Sequence, residues 1–181
     1  MQEKAAYKKA YEVAAGYFRK KHPMRSGELF DNQGFIAYEE TEGRTLNIIC
    51  RIVNATQHIV LETEPQIHVS EPFLGQVSEY IAKINELIEN HIIGIRKNGT
   101  IYMHTEFDYG NEPPTEKMLE QRERACKIEL LTYSSILEKL ANGRLLTSKE
   151  ADAEAIWDDT FRLMLKTLVD QRGNEGNCND N

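Results

Sequence analysis

The spacing of apolar positions changes repeatedly along the chain, and each change marks an element. From Gln2 to Lys21, Ala6, Ala10, Val13, Ala14, Tyr17 and Phe18 recur at threes and fours, with Tyr7 and Tyr11 widening the stripe, which predicts an amphipathic helix. His22-Pro23 ends it, because proline disfavours α geometry in the residue before it. Met24 to Gln33 is dense in turn formers and reads as a loop. The period then drops to two. Gly34 to Thr41 alternates Phe35 and Ala37 against Ile36 and Tyr38, and Arg44 to Val53 alternates Leu46, Ile48, Cys50 and Ile52 against Asn47, Ile49, Arg51 and Val53. A third strand, Gln57 to Glu62, returns after Ala55-Thr56. If Glu42-Gly43 is a two-residue turn, Ala37 lies opposite Ile48 and Phe35 opposite Cys50. The next turn sets Ile52 opposite Ile59 and Cys50 opposite Leu61.

After a break at Pro65, Ile67 and Val69 form a short extended piece, and a second helix follows with Phe73, Leu74, Val77, Tyr80, Ile81, Ile84, Leu87 and Ile88 on one stripe. Ser70 is placed to cap it through its hydroxyl, with Glu71 and Pro72 in the first turn. A hairpin comes next. Ile92, Ile93 and Ile95 lead through Asn98-Gly99 to Ile101, Tyr102, Met103 and Phe107, and Asn-Gly predicts a type I′ turn. That turn places His91 opposite Glu106 and Ile93 opposite His104. Asp108 to Thr115 is loop. The third helix carries Leu119, Cys126, Leu130, Tyr133, Leu137 and Leu140, a core stripe interrupted where Glu123 falls on it, and stops at Asn142-Gly143. Thr147 and Glu150 have the spacing of a capping box for a last helix with Ala153, Trp157, Phe161, Leu165 and Leu168 on one side.

The order is therefore α-β-β-β-α-β-β-α plus an extra C-terminal helix. Hairpin connections make the sheet mainly antiparallel and the class α+β. Residues 1–143 are read as one domain and 144–171 as an additional helix packed on that domain or on a dimer partner. The polar stretch 172–181 is read as a disordered tail.

Composition narrows the function. At 181 residues with 40% hydrophobic positions the chain can bury a core of its own. Its net charge of -7 and pI near 5.3 exclude the usual nucleic-acid binder, which clusters Lys and Arg on one face. Three cysteines, Cys50, Cys126 and Cys178, lack CxxC spacing and point to a reducing compartment. With no apolar run of membrane-spanning length, the expected location is the cytoplasm.

The run Ile67 to Phe107, IHVSEPFLGQVSEYIAKINELIENHIIGIRKNGTIYMHTEF, resembles the bacterial YbjN proteins, candidate sensory transduction regulators whose fold is like that of type III secretion chaperones. The matching features are an extended piece before a Pro-proximal helix start, a helix ending at Ile84-Asn85, then Gly94, an Asn-Gly turn and Tyr102. The resemblance implies a small, acidic, homodimeric protein that holds a polypeptide partner or client in the manner of a chaperone or regulatory adaptor. It supplies no active site.

The residues supply none either. His22, His58, His68, His91 and His104 show no metal-ligand spacing, and no GxSxG, HExxH, GxGxxG or phosphate-loop motif occurs, so no metal, cofactor or catalytic residue is expected. Asp108, Glu112, Glu116, Asp158 and Asp159 read as solvated charges rather than an acid/base pair. The informative excess lies on the sheet. With Phe35, Ala37, Ile48, Cys50, Ile52, Ile59 and Leu61 turned toward the helices, the opposite face still carries Ile36, Tyr38, Ile49, Val53 and Val60. The chain's own last helix, a second copy or a client could cover it. Those five residues, with Trp157 and Phe161 as aromatic anchors, are the candidate protein-binding set. The alternative is a small-ligand sensor or enzyme with a pocket between the sheet and the second helix.

Overall fold

The computed structural model describes residues 2–23, 25–29, 33–41, 43–89, 91–109 and 113–162. Helix α1 (Gln2–Lys21) is followed by strands β1 (Ser26–Glu28), β2 (Gly34–Thr41), β3 (Arg44–Val53) and β4 (His58–Glu64). Then come a 3-10 turn (Glu71–Phe73), α2 (Leu74–Asn85), β5 (Ile92–Ile95), β6 (Ile101–Asp108) and α3 (Glu116–Ala141). Residues 153–162 form α4. The strands make one antiparallel six-stranded sheet in the order β1-β2-β3-β4-β6-β5.

Register across β2, β3 and β4 is the expected one: Phe35 pairs with Cys50, Ala37 with Ile48, Ile52 with Ile59 and Cys50 with Leu61. All seven residues of that inner face are buried. β1 was expected to be loop. Its Ser-Gly-Glu has no apolar alternation and is held in the sheet by main-chain bonds, with Tyr38 N–H to Arg25 O at 3.0 Å and Leu29 N–H to Gly34 O at 2.9 Å flanking it.

Every described helix lies on the inner side. α1 buries Ala10, Ala14 and Phe18 against Phe35, Ile48, Cys50 and Leu61, with Leu119 of α3 joining them. α2 buries Val77, Tyr80, Ile81 and Ile84 against Ile93, Ile101 and Met103, with Cys126, Leu130, Tyr133 and Leu137 of α3 above. α3 therefore bridges two clusters. Its Thr115 caps the first turn by accepting from Met118 N–H at 3.2 Å. Its end is a left-handed Gly143 (φ +68°) with Arg144 N–H bonded to Lys139 O at 2.9 Å.

The β5–β6 hairpin corrects the sequence expectation by one residue. Asn98 does not take the positive φ that a type I′ turn needs; Gly99 alone does (φ +84°). Arg96 N–H bonds Thr100 O at 2.9 Å and Gly99 N–H bonds Arg96 O at 2.8 Å, a three-residue loop with Gly99 in its left-handed position. The cause is tertiary. Val69 N–H bonds Gly99 O at 2.8 Å, and a Cβ on Gly99 would come within 2.4 Å of Val69 O. Ile92 thus faces His104 and Ile93 faces Met103. Ser70 also departs from expectation: its side chain makes no cap bond, and the 3-10 turn closes through Phe73 N–H to Ser70 O at 2.9 Å.

Asn85 does what no spacing rule predicts. Its amide donates to Ile93 O at 3.0 Å and accepts from Ile93 N–H at 2.9 Å, pairing both main-chain groups that Ile93 turns away from β6. The side chain acts as a one-residue strand on the sheet's free edge. Asn85→Ala is expected to cost about 1–3 kcal/mol in urea unfolding and to speed hydrogen exchange at Ile93. Unchanged protection there would contradict this role.

Candidate protein-binding surface

Pairing fixes what the outer face shows. One row reads Ile36, Ile49, Glu62, His104, Ile92, and the next reads Arg51, Val60, Glu106, followed by Val53, His58, Asp108. Tyr38 lies opposite Asn47. Tyr38 is 47% exposed and Ile92 53% exposed; Ile36, Val53 and Val60 are half-buried, and Ile49, central in the sheet, is 9% exposed. Among the described residues no helix packs on this face. The five expected sheet residues are thus brought together as one apolar band.

Beside the band lies a polar half. Arg96 bonds Glu64 through Nε and Glu62 through an Nη, each at 2.8 Å, and its guanidinium lies 4.5 Å from the centre of the Tyr102 ring. Gly94 opposite makes room for that ring, since a Cβ there would stand 2.7 Å from it. His58 pairs with Asp108 and lies 3.9 Å from Glu106.

Trp157 and Phe161 sit elsewhere. α4 packs Ala153, Ile156 and Trp157 onto the α2–α3 cluster, while Phe161 stays 49% exposed. Two tyrosines fix this end: Tyr80 donates to Glu150 O at 2.7 Å and Tyr133 to Ala153 O at 3.1 Å. Burial, with Asp152 and Glu150 nearby, pushes the Tyr80 hydroxyl up to about 12, so it remains a donor. The capping box forms, with Thr147 N–H to Glu150 Oε2 at 3.0 Å and Glu150 N–H to Thr147 Oγ1 at 3.3 Å, but it closes a single turn. Asp152 caps α4 itself through Ala155 N–H at 3.0 Å. Over its described residues α4 does not cover the outer face. The expected continuation through 171 and the tail lie outside the described residues.

Sequence reasoning flagged Glu123 as an interruption, and the structure shows its use. Glu123 is 1% exposed and accepts from Tyr17 Oη at 3.0 Å, lies 3.3 Å from His22 Nε2 and pairs with Lys127 at 2.8 Å. Lys127 also bonds both oxygens of Glu39, at 2.8 and 3.0 Å. Candidate ligand atoms of His22, Glu39 and Glu123 all lie within 4.8 Å of one another. Lys127 supplies the positive charge at that spot, so a divalent ion would have to displace it. Burial pushes the Glu123 carboxyl up, but the His22 hydrogen bond and the Lys127 ammonium outweigh it and hold the group below its ordinary value. The expected His91–Glu106 pair does not form. His91 is buried with Nδ1 2.7 Å from Glu129 Oε2, because the hairpin shift removes it from the ladder. The space between sheet and α2 is filled by Val77, Tyr80, Ile81 and Ile84, and clefts among the described residues open against α1, between α1 and α3, and between α2 and the 148–154 segment. Cys50 and Cys126 are buried, and burial pushes the Cys126 thiol up to about 12, as small core residues require.

No family model and no curated protein matches the chain. Among solved structures, YbjN from E. coli, a candidate transcription regulator, matches with a TM-score of 0.52 at 11% identity, covering 75% of this chain and 95% of that one. The fold is similar to that of YbjN. The ExsC–ExsE complex matches at 0.46 and 14% identity, over 75% and 95% of the two chains. The HopA1–SchA chaperone–effector complex matches at 0.47 and 13%, over 73% and 96%. The YbjN likeness read from Ile67 to Phe107 holds as a fold, and its features now have physical causes. Asn85 closes the edge, Gly94 admits Tyr102, and Gly99 admits Val69. Among the described residues no helix is long and apolar enough to cross a membrane.

Lys127→Met is expected to cost about 3–5 kcal/mol in urea unfolding at pH 7, since Glu39 and Glu123 lose their shared counter-charge. Glu123 is depressed in the folded state, so its contribution is complete above the ordinary carboxyl value and disappears as pH falls through the folded one. The penalty should therefore shrink in acid. An equal penalty at both ends would contradict the pairing.

Proposed function

We propose that the protein is a non-enzymatic protein-binding module, chaperone-like or a regulatory adaptor, that holds a polypeptide partner on the outer face of its sheet. The observation that supports this is the band of Tyr38, Ile36, Val60 and Val53, which the described residues leave partly open around a buried Ile49. Large apolar patches left open on soluble proteins mark interaction surfaces, and this one is backed by a fully packed inner face. Addition of a strand at β5 is opposed by Asn85, which leaves the face rather than that edge. Burial of the band supplies affinity and the acidic surround supplies choice of partner. The likeness to YbjN supports the scaffold of such an adaptor.

The cytoplasm remains the proposed location, since both described cysteines are unpaired thiols. The homodimer implied by the resemblance belongs in this proposal to the α4 surface, where Phe161 is 49% exposed. Light scattering of Phe161→Asp against the unaltered chain tests it: a mass of two copies should fall to one, and an unaltered chain that is already monomeric ends that reading.

The face itself is tested by Tyr38→Asp and Val60→Asp. Both side chains are partly in solvent, so thermal unfolding should move little while a purified partner, reconstituted pairwise, binds at least tenfold more weakly. Unaltered affinity for every partner of the unaltered chain would overturn the reading.

A further inference from the structure

We infer that the occupant of the outer face is an amphipathic helix whose apolar stripe is flanked by lysines or arginines. This rests on reading that face as the docking surface and adds the shape and charge of what it takes.

Shape comes first. Tyr38 and Ile36 lie on β2, Ile36 is opposite Ile49, Val60 is opposite the next outward residue Arg51, and Val53 lies one step further along β3. The band runs obliquely over three strands and covers three outward steps, about 20 Å along the strand direction. A helix of about 13 residues has that length. An extended segment would leave its own main-chain groups without partners on a sheet face, whereas a helix satisfies them internally. The inner face of this sheet is covered by helices in the same manner.

Charge comes second. On β4 and β6, the outward rows beside Val60 carry Glu62, Glu64, Glu106 and Asp108, with Arg51 and Arg96 as the guanidiniums among them. Arg96 is spent on Glu62 and Glu64, so the flank next to Val60 and Val53 sets two exposed carboxylates, Glu106 and Asp108, against the single guanidinium of Arg51 opposite Val60, with His58 beside both acids. A cation on the incoming helix meets this flank. A second copy would bring the same carboxylates against themselves, in a chain whose net charge is already -7. An anionic segment meets the same repulsion.

The probe is a set of three synthetic helical peptides of about 14 residues, identical in their Leu/Ile stripe and carrying Lys, Gln or Glu at the flanking positions. Binding to the full chain, to Val60→Asp and to Glu106→Lys/Asp108→Lys is followed by fluorescence anisotropy at low and physiological salt. The Lys peptide should bind about tenfold tighter than the Glu peptide at low salt. The gap should narrow as salt is added, and the double charge reversal should abolish it. Val60→Asp should weaken all three. If Val60→Asp weakens binding but the three peptides are indistinguishable, the charge inference is overturned while the docking face stands. If Val60→Asp changes nothing, the docking face itself is overturned. Loss of a dimer in Val60→Asp, seen by light scattering, would assign the face to a second copy and overturn the inference.

Discussion

A β-sheet has two faces, and the described residues provide a helical layer for one. α1, α2 and α3 all pack on the side of Phe35, Ile48, Cys50, Leu61, Ile93 and Met103, and α4 joins them above α2 and α3. The other side keeps apolar rows of its own. Alternation in β2 and β3 is not apolar against polar but apolar against mostly apolar, as Ile36 opposite Ile49 illustrates. Purely solvated antiparallel faces do not need such residues, and keeping them in water has a free-energy cost.

What joins the two halves of the inner layer is α3. It contributes Leu119 to one apolar cluster and Cys126 through Leu140 to the other, and between them it carries Glu123 and Lys127. A carboxylate buried in that position is tolerable because Tyr17, His22 and Lys127 surround it. The cluster therefore ties the end of α1 and the Glu39 position of β2 to a single turn of α3. Specific orientation rather than raw stability is the natural use of such a pair.

Much of the scaffold was legible in the residues. The three-strand register could be read because both faces are patterned at period two and the turn arithmetic closes only one way for Phe35, Cys50 and Leu61. Glu123 announced itself as a charge on an apolar stripe. The misses share one cause, long-range contact. β1 has no local pattern and exists because β2 offers an edge; the hairpin loop is set by Val69 lying against Gly99, some thirty residues away; Asn85 reads as a helix end and works as an edge partner. That Ile36, Tyr38, Ile49, Val53 and Val60 share the outer face was legible from the alternation, but the burial of Ile49 was not, and that α4 packs on the helical side required the positions of Tyr80 and Tyr133.

The most direct test of one-sided covering is carbene footprinting of the free chain, followed by footprinting of the chain with its partner bound. The account predicts labelling at Tyr38, Ile92 and Val60 and silence at Phe35 and Ile48 in the free protein, with the Tyr38 and Val60 signals lost in the complex. Protection of Tyr38 and Val60 in the isolated monomer, or labelling that survives saturation with the partner, would contradict it.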